Sequence, residues 1–418
     1  MPLSKIVLEN YRCFRDRQEI ELAPVTVVLG KNNSGKSVLT RAPMVIATGF
    51  GTTTTAPLDL DRLEPQPVDG FPDLIFEQSP HGKFFLGFDV DGPRPFQMAA
   101  TIQHVAENRT AFVSDLTLRA SDADVVLAWQ PAFHVGDGPY SYEIRSSDRA
   151  SAIRPVAFQG LCPQADGVPE LRDLRGMDLS LGPIRYLSAY RDRPERQHRL
   201  PLGTPQRIGQ QGQGTLGILA HDQERGGGDL LGMVNERLQL IVPGWRLEEI
   251  EAGPLWSTVL TRRGSRVRVN LADAGSGLAQ MLPILVQCAL DEQRGRNVAA
   301  PLQIIEEPEM HLHPAAHAEL GDLYLRTAQA TGTRFLIETH SETLLLRLRR
   351  RIAQEDVPPK TVAVYVVEQH DGASNVRRVR IDDLGNLDES WPEGYFSQDY
   401  REVRALAAAQ VKRSRHAS

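Results

Sequence analysis

The chain has 418 residues, 41% hydrophobic and 24% charged, a balance that suits a well-buried globular core and excludes a disordered chain. Its formal charge of −6 comes from 47 Lys plus Arg against 53 Asp plus Glu, so the protein as a whole is not a polyanion binder and any nucleic-acid contact must be local. Cys13, Cys162 and Cys288 are widely separated, which excludes a disulfide framework and a Cys-x-x-Cys zinc site and fits a reducing compartment.

Met1 to Glu9 alternate apolar and polar residues instead of forming an apolar leader, and no apolar run of about 18 residues occurs, so a cytoplasmic, unanchored protein is expected. Three β-rich runs follow one another between Lys5 and Gly30, the last being Val25–Leu29; they predict a meander ending in a buried strand, followed by a Gly-rich turn and a helix from Ser37 to about Ala47. From Gly51 to Gly182 the sequence is rich in Thr and punctuated by Pro and Gly, with short alternating segments such as Lys83–Val90 and Ala111–Leu118, which predict small β-structure with long loops. A Gly/Gln-rich linker, Gly209–Gly214, precedes a helical run to about Leu240 and a β-patterned piece, Trp245–Asn270. Helix and strand patterns then alternate through Leu278–Gln293, Leu302–Ile305, His313–Ala330, Phe335–Glu338 and Glu342–Ala353, the signature of an α/β core. The expected partition is 1–50 for a β-meander and phosphate loop, 51–182 for a β-rich insertion, 183–365 for the rest of the core, 366–410 for a small C-terminal domain and 411–418 for a basic tail.

Gly30-Lys31-Asn32-Asn33-Ser34-Gly35-Lys36-Ser37 matches G-x-x-x-x-G-K-[ST] between a predicted buried strand and a helix, the context that motif requires. Its glycines let backbone N–H groups curl around phosphates, the helix start adds positive potential, Lys36 reaches the β- and γ-phosphates, and the Ser37 hydroxyl can ligate magnesium. A second run, Leu302–Ile305, ends in Glu306 and Glu307; a buried strand would deliver both beside the phosphate loop, Glu306 for the magnesium shell and Glu307 as the base that polarises water. A third, Phe335–Glu338, ends in Thr339-His340-Ser341, one helix further on, where a γ-phosphate-sensing histidine would be placed. Asp273 through Gln280 opens the helix before the acidic strand, and its small residues Gly275, Ser276 and Gly277 offer an anion-binding surface.

The order of these elements resembles the ABC-type ATPase head, and within it the RecF, SMC and OLD-like branch. Leu8 to Phe14 ahead of the loop, the Asn-Asn-Ser inside it, Glu306-Glu307-Pro308-Glu309 followed by His311-Leu312-His313-Pro314, and Glu338-Thr339-His340-Ser341 carry the resemblance. Val366-Val367-Glu368 through Trp391 and Phe396 also resemble an uncharacterised C-terminal domain found on bacterial ATPases of this branch. The resemblance implies an α/β fold, a P-loop NTPase with an N-terminal antiparallel β-subdomain and a β-rich insertion. It further implies a homodimer sandwiching two ATP molecules with Mg2+. Lys36, Glu307 and His340 would then act in cis, Gly30, Asn32, Asn33, Ser34, Gly35 and Ser37 would hold the phosphates, and Gly275, Ser276 and Gly277 would reach the partner's γ-phosphate. Two positions depart from the pattern: Glu306 replaces the usual aspartate, and Gly275 takes the place of the leading signature serine, with Ser276 one position later. Gln78 is the candidate for the magnesium-sensing glutamine.

Other readings stay open at this stage. His311 and His313 near Glu307 and Glu309 could suggest a transition-metal site, although positions two apart do not share a helical face. Arg185, Arg191, Arg193, Arg196 and Arg199, and Arg347, Arg349, Arg350 and Arg351, could be solvated surfaces or a phosphate-backbone footprint. The functional expectation is a switch ATPase coupled to DNA or to an effector protein from a neighbouring gene, in bacterial antiviral defence or DNA repair, with no membrane partner. Its rivals are an OLD-like component working through a partner nuclease, a transporter ATPase and a non-hydrolysing scaffold; with 78 residues after His340, no added nuclease domain is expected in this chain.

Overall fold

A computed structural model describes residues 3–392 and 404–406, apart from 64–67, 108, 122, 132–138, 148, 176, 178, 201, 204–206 and 296–298. The expected basic tail and the Glu393–Phe396 part of the C-terminal motif lie outside the described residues.

The chain opens with β1 (Leu3–Glu9), β2 (Gln18–Glu21), β3 (Val25–Gly30) and α1 (Lys36–Ala47). The first two pair with each other, but β3 does not continue the meander. All six of its residues are buried, which suits a strand covered on both faces. Six further strands follow: β4 (Lys83–Val90), β5 (Phe96–Val105), β6 (Thr110–Ala120), β7 (Ala123–Trp129), β8 (Ser141–Ser146) and β9 (Arg149–Pro155). They add to β1 to make one eight-stranded antiparallel sheet in the order β2-β1-β4-β5-β6-β7-β8-β9. The expected N-terminal β-subdomain and β-rich insertion are therefore a single sheet, joined where Ile6 faces Phe88. The short pair β10 (Phe158–Gln159) and β11 (Cys162–Pro163) stands beside it.

The second half contains β12 (Ile184–Leu187), β13 (His198–Arg199), α2 (Thr215–Arg225), α3 (Asp229–Ile241), β14 (Trp245–Ala252), β15 (Leu255–Arg262) and β16 (Arg268–Asn270). Then come α4 (Ser276–Arg294), β17 (Leu302–Glu306), α5 (Pro314–Thr331), β18 (Arg334–Glu338), α6 (Glu342–Ala353), β19 (Val362–His370) and β20 (Ala373–Val379). The central sheet runs β12-β17-β18-β3-β19-β20, parallel except for its last strand. Alternation along β3 divides the core: Val28 faces α1 and the antiparallel sheet, while Val25, Val27 and Leu29 face the layer containing α2 through α6. The small sheet of β13 to β16 lies on that helical side. Strand β19 pairs with β3 from Val362↔Val25 to Val367↔Gly30, so the boundary expected between 365 and 366 falls inside a core strand.

Candidate functional site

Strand β3 ends at Gly30 and α1 begins at Lys36, so the intervening loop is held between a buried strand and a helix start. A Cβ on Gly30 would sit 2.5 Å from the Val367 carbonyl oxygen, and one on Gly35 would sit 2.7 Å from Cys13 Sγ; both positions need glycine because backbone and side chains close around the loop. Gly35 caps α1 with φ 102° and without a side-chain acceptor, which leaves the first-turn N–H groups for an anion. Ser34 Oγ is buried with no partner among the described residues, and Lys36 Nζ donates to the Lys31 carbonyl at 3.0 Å. A nest of amides with an orphaned hydroxyl and a buried ammonium suits a polyphosphate.

The carboxylate beside Ser37 is Glu338. Ser37 Oγ donates to its Oε1 at 3.0 Å, Thr40 Oγ1 to its Oε2 at 3.3 Å, and Lys36 Nζ lies 3.9 Å from Oε1. Glu306, expected in that place, is one strand further away because β18 lies between β17 and β3. Its oxygens instead accept from Arg41 Nε and Nη2 at 2.6 and 2.7 Å, and the guanidinium rests over the Tyr186 ring at 5.6 Å. Burial first and Glu306 second push Glu338 up to about 7, against the pull of Ser37, Lys36 and Arg41. The site thus carries a carboxylate in search of positive charge.

Glu307 adopts φ 41°, a strained value for a non-glycine residue, and is fixed by its N–H to the Glu338 carbonyl at 2.8 Å. Its Oε1 is 3.9 Å from His340 Nε2, and the His340 N–H donates to Glu309 Oε1 at 2.6 Å. Lys36 feels the charges of Glu338, Glu307 and Glu309, which places all four around one space; burial nevertheless lowers its pKa. His340 is also lowered, by burial and then by Lys36, so it is a neutral imidazole at pH 7. Lys36, Ser37, Glu307 and His340 therefore lie around one space, with Glu338 between the loop and the acidic strand. Behind them, buried Arg191 donates to the Glu306 carbonyl at 2.8 Å and to the Gln280 carbonyl at 3.3 Å, while Gln280 bonds both the N–H and the C=O of Arg191. This strap ties α4 to the end of β17.

Gly275 and Ser276 are exposed at the start of α4, and a Cβ on Gly277 would meet the His311 carbonyl oxygen at 2.5 Å. Together with His311 and Leu312, Gly275 and Gly277 border a groove of about 500 Å³ to which the phosphate loop contributes nothing. Within one chain the structure does not bring the signature to the loop. His313 caps α5, its Nδ1 accepting from the Ala315 N–H at 3.2 Å, and no cluster of three metal-ligating side chains occurs among the described residues. Gln78 is spent on Asp73 at 2.8 Å. Several arginines of the two basic clusters serve internal pairs: Arg185 with Asp291, Arg196 with Asp273, and Arg347 and Arg351 with Asp322.

Residues 25–347 match the family described as "AAA domain, putative AbiEii toxin, Type IV TA system". The chain belongs to this family. Residues 1–46 match the AAA ATPase domain, and 357–406 match a protein of unknown function, DUF3696. An SMC head solved with the C-terminal winged-helix domain of ScpA shares the fold at TM-score 0.50 and 12% identity, over 91% of this chain and 98% of that one. The SMC head of Thermotoga maritima (TM-score 0.43, 14% identity, 91% and 100% covered) and an SMC head bound to the ScpA C-terminal domain from Pyrococcus furiosus (0.46, 11%, 91% and 96%) are also similar. Among curated proteins none matches. The AAA-family chain has the ABC-type ATPase head fold, and among its described residues no helix is long and apolar enough to cross a membrane.

Proposed function

We propose that this AAA-family chain binds and hydrolyses ATP as a cytoplasmic homodimeric switch. The observation that carries the reading is the convergence of Lys36, Ser37, Glu307, Glu338 and His340 on one space at the C-terminal ends of β3, β17 and β18. The amides of Gly30 to Ser37 would hold the triphosphate, with Asn32, Asn33 and Ser34 along the loop and Lys36 on the β- and γ-phosphates. Glu307 would accept the proton of the attacking water as the new P–O bond forms and ADP departs. Neutral His340 would hydrogen-bond the γ-phosphate.

The donor set suits Mg2+, which takes hard oxygens and substrate phosphates. Ser37 and Glu338 would hold it, with Glu306 behind, and when bound it would neutralise phosphate charge. The exposure of Gly275 and Ser276, away from their own chain's loop, supports their action on a partner copy's nucleotide.

Closure and opening of such a dimer would drive a partner. Because several of the clustered arginines are paired internally, an effector protein is favoured over DNA. The family's toxin–antitoxin description is consistent with a role in bacterial defence. Phosphate release by the wild type and by Glu307→Gln tests the hydrolysis, and fluorescent-nucleotide binding by Lys36→Ala tests the site. Hydrolysis should fall by a factor on the order of 100 or more in the first, and affinity should collapse in the second. Unchanged values in both would sink the proposal.

A further inference from the structure

Behind the Gly209–Gly214 turn lies a cavity of about 290 Å³, bounded by the start of α2, by β13 and by the flank of α4 at Ala279, Leu282 and Pro283. None of its lining residues belongs to the phosphate loop or to the acidic and histidine strands. His198 lines it, is only 9% exposed, and has no hydrogen-bond partner on either ring nitrogen among the described residues. The Leu216 backbone lies near the ring without meeting hydrogen-bond geometry, and it and the charge of Glu195 pull the pKa up, yet burial dominates and lowers it, so the ring stands as a neutral imidazole with one donor and one acceptor. Buried polar atoms are nearly always satisfied, and an exception facing a cavity points to something that completes it.

The start of α2 adds an independent feature. Its cap, Gly214, is left-handed at φ 82° and provides no side-chain acceptor, and the Leu216 and Gly217 N–H groups have no backbone acceptor among the described residues. The Thr215 hydroxyl is already spent on the Gly212 carbonyl at 2.6 Å. At the exposed rim Arg193 and Arg199 are balanced by Asp192 and Glu195, so selection for negative charge comes from the helix end itself. Leu271, Leu282 and Pro283 supply an apolar wall.

We propose that this cavity is a second binding site for a small organic oxyanion, a carboxylate or phosphate monoester. Its charged head would sit on the Leu216 and Gly217 amides, its polar edge on His198 and its apolar body against Leu271 and Leu282. The volume is near the lower end for small-ligand pockets. A ligand here touches α4, which carries Gly275 to Gly277, and the segment after Arg191, whose guanidinium holds Gln280 and the end of β17. Occupancy would therefore bias the geometry around Glu306 and Glu307; this regulatory part rests on the ATPase reading, whereas the binding does not.

Carbon–proton NMR of the histidine-labelled full chain carrying Lys36→Ala, which disables the phosphate loop, tests the binding. The His198 signal is the one lost on adding His198→Gln, or, should that variant fail to fold, the one shifted by Arg199→Ala on the rim. Millimolar AMP or butyrate is expected to move it while leaving the His340 signal in place. A response to AMP alone assigns a phosphate ester, and a response to butyrate alone assigns a carboxylate. His198→Gln should weaken the binding that remains, read by calorimetry, about fivefold, the effect of one neutral hydrogen bond. No response to either probe, or a response to inorganic phosphate only, overturns the proposal. Failure of the ATPase reading would show separately, as unaltered ATP affinity in Lys36→Ala.

Discussion

The Glu338 side chain is 6% exposed, and its pKa of about 7 stands well above the 4.5 of a free carboxyl. Between those two values the folded chain retains a proton that the unfolded chain releases, so stability falls as pH rises through this window, and the whole penalty is present above about pH 7. The gap is worth about 3 kcal/mol. Glu338→Gln removes the charge while keeping an oxygen to accept from Ser37 and presenting an amide N–H that can donate to the Thr40 hydroxyl. For a chain of 418 residues the unfolding entropy is on the order of 0.9 kcal/mol per kelvin, so the variant should melt ~3 °C higher at pH 8 without metal or nucleotide. Near pH 4.5 it should match the parent. With magnesium and ADP the order should reverse, because the parent's carboxylate gains a cation and the variant's amide does not. Scanning calorimetry at the two pH values, with and without the ligands, reads all of this. A lower melting temperature for the variant at pH 8, or an equal response of both proteins to magnesium and ADP, would refute the electrostatic argument.

Three other outcomes are expected. His340 is depressed below its ordinary 6.5, so hydrolysis should be level around pH 7 and decline on acidification with an inflection below 6.5 that His340→Ala abolishes; an inflection above 6.5 would contradict the assignment. Arg191→Ala strands the Gln280 and Glu306 carbonyls and should cost ~3 kcal/mol in urea denaturation, with a loss under ~1 kcal/mol counting against the strap. Gly277→Val places a Cβ on the His311 carbonyl oxygen and should cost ~1–3 kcal/mol and suppress hydrolysis, while single-chain nucleotide affinity stays as it was; an active variant would remove the signature from the mechanism.

The phosphate loop was legible because Gly30 to Ser37 is one contiguous stretch whose chemistry lies in its own backbone. Glu307 and His340 were legible as the residues following apolar runs of strand length. Glu338 stands in the sequence only as the lead-in to His340, since its place beside Ser37 depends on β18 being inserted between β17 and β3, a fact of strand order with no local trace. Arg41 and Arg191 were hidden for the same reason: each meets Glu306 across more than a hundred residues of chain. Two other stretches announce their own strand but not its neighbour in the sheet. The unbroken run Val362–Val367 has the composition of a strand buried on both faces, as Val25–Leu29 does, and the two are neighbours in the sheet. Alternation in Lys83–Val90 announced a half-buried strand, but nothing local could tell that its partner was β1, some eighty residues earlier.

The Val367 carbonyl against Gly30, and the Ser374 side chain 3.0 Å from where a Gly35 Cβ would stand, make the last strand pair the floor beneath the phosphate loop. The gap between residues 347 and 357, where one family match stops and the next starts, is consequently a poor place to cut. A fragment trimmed there would bare the β3 edge, a row of unpaired amides and carbonyls inclined to recruit other chains, and would aggregate before it could serve as a minimal ATPase.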